Sequence, residues 1–202
     1  MLKPWDMFVF TGVIILLNGH LLGAWGIDTF LFLPRAVIAG QWWRILTHPF
    51  IHVSWYHLSL DAGAFLLLYS GLKSQTIPGR LIHVAICGSS SLTAAWAFSP
   101  VINTTGLCGL SGIAHGLMII TSLEMMQSPK SFRSGMICLT LIVSKSIFEF
   151  ISGDVFFSFL HFGRCGTPLV ACHLGGVVGG MMSYFLSNCD ELVKNRQMVN
   201  GA

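Results

Sequence analysis

Charge is what this sequence lacks. Only 9% of its 202 residues are Asp, Glu, Lys or Arg, against 53% hydrophobic, and the mean hydropathy is +0.72. Soluble domains carry about a quarter charged residues. So few ions cannot solvate a globular surface, and lipid has to cover much of it. The eleven basic residues exceed the eight acidic ones by only three and lie scattered, which argues against nucleic acid as a partner. No C-x-x-C pair occurs among Cys87, Cys108, Cys138, Cys165, Cys172 and Cys189, so no cysteine metal or redox motif is present. Most of them lie in apolar runs, where a thiol packs as a small hydrophobe. A disulfide among Cys108, Cys165 and Cys172 stays open. There is no internal repeat and no low-complexity segment. The apolar stretch 7–27 is longer than a signal-peptide core, and no small-residue cleavage site follows it, so it is expected to remain as a first membrane helix.

A bilayer core takes roughly 20 apolar residues per helix. That ruler places spans near 7–27, 53–72, 81–98, 108–126, 134–152 and 168–187, in one all-α membrane domain covering 1–190, with a short polar cytoplasmic tail at 191–202. The stretch 28–52 is too broken for a span. It holds Pro34, Arg35, Gln41, Arg44 and Pro49, and its Trp42–Trp43 pair suits the membrane interface. With the N-terminus inside, seven basic residues fall on the inner side (Lys3, Lys73, Arg80, Lys130, Arg133, Lys194, Arg196) and three on the outer (Arg35, Arg44, Arg164). The positive-inside rule therefore puts both termini in the cytoplasm.

Ionisable groups inside lipid are costly and mark candidate functional positions. The second span carries His57 and Asp61, preceded by His48 and His52. The fourth opens with Gly109-Leu110-Ser111-Gly112 and continues to His115. The fifth carries Lys145 and Glu149, and the sixth His173 with Gly176 and Gly180. Spans two, four and six all run from outside to inside. His57, Ser111 and His173 are each the fourth to sixth residue of their span, so they lie at similar depth. They can share one cavity opening to the outer side. A Ser beside a His base is a nucleophilic pair, and a further His or carboxyl nearby can hold an oxyanion. Gly109 and Gly112 permit an irregular helix start at Ser111. Gly176 and Gly180 share a helix face with His173, and small residues at that spacing let the sixth helix press on the fourth.

These residues resemble the rhomboid family of intramembrane proteases. Gly109-Leu110-Ser111-Gly112 is similar to its G-x-S-G motif, and His173, Gly176 and Gly180 to its H-x-x-G-x-x-x-G. Trp43-Arg44 matches W-R, and the run from His48 through His52 and His57 to Asp61 matches H-x-x-x-H-x-x-x-x-H-x-x-x-N, with Asp in place of Asn. The segment Gly109–Gly116 and the Lys145/Glu149 pair look like the rhombosortase branch. The resemblance implies a six-helix bundle in the bacterial inner membrane that needs no cofactor. Ser111 would be the nucleophile and His173 its base, with no acidic third member. His57 and the Ser111 N–H would donate to the oxyanion. Asp61 donates only when protonated, so its place in that site is open; it can instead orient His57. His115 stands where an aromatic ring packs on the catalytic His. The implied substrates are membrane-anchored proteins ending in GlyGly-CTERM tails.

Other readings stay open. Ser111 and His173 suit a small helix contact and a bundle histidine, and His115, four residues after Ser111, is a rival base. Lys145 and Glu149 form a neutralising pair. The alternative functions are a rhomboid-like protein that cleaves other membrane substrates, or one that binds clients without cutting them. His48, His52 and His57 have the donor chemistry of a zinc or iron site, though no further ligand completes a set. An amine, rather than water, could capture the acyl-enzyme. His20, His83 and His161 have no assigned role.

Overall fold

The structure is a computed structural model and describes residues 5–74, 76–156, 163, 165–167 and 169–200. Lys3, His161, Arg164 and position 168, where the sixth span was expected to begin, lie outside the described residues. The elements are α1 (Trp5–Leu17), α2 (Pro34–Ile38), α3 (Arg44–Thr47), α4 (Trp55–Gly71), α5 (Ile77–Phe98), α6 (Ile102–Thr105), α7 (Ser111–Met126), α8 (Phe132–Ser152) and α9 (Ala171–Asn200). No strand forms among the described residues; one isolated antiparallel bridge joins Phe32 and Leu107.

The chain is an all-α polytopic membrane protein. Among the described residues, three helical stretches are long and apolar enough to cross a bilayer: Trp5–Leu22, Ile77–Phe98 and Phe132–Ser152. Their outward faces carry exposed Phe8, Leu16, Ile82, Leu141 and Ile151, an apolar surface that lipid covers without cost. The helices start where local chemistry allows. Ser54 Oγ accepts from the His57 N–H at the head of α4, and Thr76 Oγ1 accepts from the Gly79 N–H at the head of α5. Both satisfy N–H groups that a helix start leaves open.

α7 is the inner helix, packed against α4, α5, α8 and α9. Its 16 residues span about 24 Å, less than the ~30 Å hydrocarbon core. The 28–52 segment lies at the end of the bundle where α1 ends and α4 and α7 begin, with little regular structure. Arg44 is buried, its Nη1 donating to Leu31 O at 2.6 Å and its Nε to Gln41 Oε1 at 2.7 Å. Asn18 joins this segment to the end of α1, donating to Phe50 O at 2.6 Å and accepting from the His52 N–H at 2.9 Å. At the other end, Asp6 pairs with Arg80 at 2.8 Å and accepts from Tyr69 O–H at 2.8 Å, tying α1, α5 and α4.

Candidate active site

Ser111 owes its position to the turn before it. Paired bonds between Phe32 and Leu107 (3.0 and 2.9 Å) and one from Gly109 N–H to His48 O (3.1 Å) fasten this turn to the 28–52 segment. Gly109 has φ +99°, and a Cβ there would lie 2.7 Å from Asp61 Oδ2 and 3.0 Å from His57 Nε2. Only glycine combines that backbone with that space. Ser111 then opens α7.

His173 stands in the first turn of α9. Between α7 and α9 the backbones touch: a Cβ on Gly176 would collide with Gly112 O, and one on Gly180 with Gly116 O. Gly112 is confined as well, by Ser91 and Cys172 O. This close approach brings His173 Nε2 to 3.1 Å from Ser111 Oγ. Cys172 Sγ lies 3.9 Å from the same hydroxyl, a neighbour that the motif spacing did not single out.

The resemblance implied no acidic partner for His173, and here the structure differs. Glu149 Oε2 lies 2.7 Å from His173 Nδ1. Glu149 also pairs with Lys145, Oε1 to Nζ, at 2.7 Å as the i,i+4 spacing suggested, but the pair is not closed on itself. The second carboxylate oxygen is free to reach α9 because α8 packs beside it. His115 lies flat on His173, with ring centroids 4.1 Å apart and planes 6° apart. Its Nδ1 is 2.7 Å from Ser111 O, so it donates there, and its Nε2 accepts from Lys145 Nζ at 2.9 Å. Both its nitrogens are engaged, which leaves it no lone pair for the Ser111 hydroxyl.

On the other side of Ser111, Asp61 Oδ2 accepts from the Ser111 N–H at 3.1 Å and lies 3.1 Å from His57 Nε2. Both expected oxyanion donors thus rest on one carboxylate oxygen. His52 Nε2 lies 3.6 Å from that oxygen. His48 and His52 are buried. His48 Nδ1–H donates to Arg44 O and Ile45 O, and burial lowers its pKa to about 4. Burial also lowers that of His52. The imagined trio of His48, His52 and His57 does not converge on a point. Among the described residues the one convergent set of metal-ligating side chains is His115, Glu149 and His173. There the Lys145 ammonium already bonds two of the three, a tethered cation where a metal would stand.

His57, Asp61, Ser111, His115, Lys145 and His173 line one cavity of about 490 Å³. Gly109, Gly112 and Gly176 back the Ser111–His173 contact, Gly180 lies one turn further along α9, and Glu149 is fully buried behind the imidazole. All six cysteines are free thiols. Among curated proteins no match reaches significance. The Rhomboid domain family matches residues 39–188, well over half of the chain and inclusive of every residue named around the cavity. The protein therefore belongs to the rhomboid family, whose members are generally intramembrane serine proteases.

Proposed function

We propose that the protein is a serine endopeptidase of the bacterial inner membrane that cleaves GlyGly-CTERM-type tails from membrane-anchored secreted proteins. The observation that carries this reading is the 3.1 Å approach of Ser111 Oγ and His173 Nε2, from two separate helices, on the wall of a cavity whose largely apolar lining holds this cluster of ionisable side chains. The tail specificity rests on the likeness of Gly109–Gly116 and the Lys145/Glu149 pair to the rhombosortase branch.

His173 Nε2 takes the Ser111 proton as Oγ attacks the scissile carbonyl carbon. The carbonyl oxygen becomes an oxyanion, and the Ser111 N–H and His57 Nε2–H are the donors within reach. For them to serve, Asp61 has to give up its place to the substrate oxygen. His173 then passes its proton to the departing amine. Water entering the cavity loses a proton to His173, attacks the acyl ester and restores Ser111; an amine in the place of that water would give transfer instead. A Gly-Gly substrate segment suits the site because glycine is a poor helix former and unwinds readily. With both termini cytoplasmic, Ser111 at the head of a short helix lies below the outer surface.

Ser111→Ala should abolish cleavage of a GlyGly-tailed reporter while leaving the fold intact, and should abolish labelling of the purified protein by a fluorophosphonate. Cleavage at the wild-type rate by this variant would rule the mechanism out. A folded wild type that fails to label would favour client binding without cutting. Mass spectrometry of the released C-terminus separates hydrolysis from transfer.

A further inference from the structure

Glu149 has more partners than a counter-ion needs. It is fully buried on α8, and its Oε1 is occupied by Lys145 Nζ at 2.7 Å and the Phe156 N–H at 2.9 Å. Oε2 is left for His173 Nδ1 at 2.7 Å, the ring nitrogen that faces away from Ser111. A carboxylate paired to an ammonium can only accept. Nδ1 therefore carries the proton, and the Nε2 lone pair points at Ser111 Oγ. Lys145 completes the arrangement from its other side, since its bond to His115 Nε2 keeps that ring's proton on Nδ1, directed at Ser111 O.

We infer that Glu149 is a positioning residue for peptide cleavage, the third member of a Ser111–His173–Glu149 relay, an inference that rests on the protease reading above. It holds His173 in the Nδ1–H tautomer. It also steadies the imidazolium that forms when Nε2 takes the hydroxyl proton. The proton on Nδ1 stays where it is throughout, and Glu149 remains a carboxylate. Lys145 keeps that carboxylate compatible with a buried position and does not touch the reacting atoms.

The test uses the purified full chain in liposomes, with reporter cleavage and fluorophosphonate labelling as readouts. Glu149→Gln should lower kcat about a thousand- to ten-thousand-fold with KM little changed, as expected when a catalytic imidazole loses the group that sets its tautomer. The double variant Lys145→Met/Glu149→Gln, which buries no unpaired charge, should stay as slow. Recovery of the double variant to within a few-fold of wild type would reduce Glu149 to a counter-ion and overturn the inference. A second measurement does not depend on turnover. In ¹⁵N-histidine-labelled Ser111→Ala protein, His173 should show a hydrogen-bonded Nδ1 proton that disappears on adding Glu149→Gln. A proton found on Nε2 instead would also overturn it. Wild-type cleavage by Ser111→Ala would sink the protease reading itself, whatever the histidine spectra show.

Discussion

Asp61 is the residue whose chemistry the proposed reaction has to work around. Its Oδ2 accepts from the Ser111 N–H and faces His57 Nε2, so an anion already stands where the developing oxyanion is to be stabilised. Like charges at that range repel. Asp61→Asn removes the charge and supplies an amide N–H, so fluorophosphonate labelling of Ser111 should speed up several-fold. Slower labelling would mean that a proton carried by this carboxyl is itself used. At this scale the sequence was most readable where motifs overlap: Ser111 and His173 each sit among glycines at fixed offsets. Glu149 was less readable. Its i,i+4 partner Lys145 accounts for its charge, and nothing in the spacing reveals how far α8 is rotated toward α9. Cys172, 3.9 Å from the nucleophile, left no signal beyond adjacency to His173. Asn18 did, as a lone amide in the apolar stretch 7–27.

Among the elements, the α7–α9 contact decides whether hydroxyl and imidazole meet. A methyl added at Gly176 would run into Gly112 O, and misplacing reacting groups by about 1 Å costs on the order of a hundredfold in rate. Gly176→Ala is expected to lower kcat by about that factor and to lower the melting temperature. Gly63→Ala on α4, where a Cβ meets nothing within 4 Å, is the matched control and should leave both within error or raise stability slightly. Comparable wild-type and Gly176→Ala rates would show that the helices separate without penalty. The glycine spacing announced this packing in advance. The burial of Arg44 and His48 within the 28–52 segment was not announced, because both are enclosed by backbone carbonyls of their own irregular segment, and no period marks such contacts.

Over the whole molecule, a histidine buried within that segment makes stability depend on acidity. His48 is buried and neutral, with a pKa of about 4 against roughly 6.5 in an unfolded chain. The unfolded state therefore binds more protons between those values. This contribution to stability is complete above about pH 6.5 and is lost as the pH falls through 4. Thermal unfolding in detergent should show a melting temperature that declines over that window, with a shallower decline in His48→Asn. An unchanged slope in the variant would move the effect to another histidine, such as His52. Because Gly109 N–H is held by His48 O, inactivation by acid should accompany this loss rather than follow it. The meeting of α7 and α9 main chain on main chain carries a further meaning. Where Gly176 meets Gly112 and Gly180 meets Gly116 no rotamer lies between the helices to be adjusted, so the spacing of the backbones that carry the attacking oxygen and the proton acceptor is inherited from two rigid rods. Reactivity in such a design has to be tuned from behind the imidazole and from beneath the carbonyl oxygen, and leaves little scope for tuning in between.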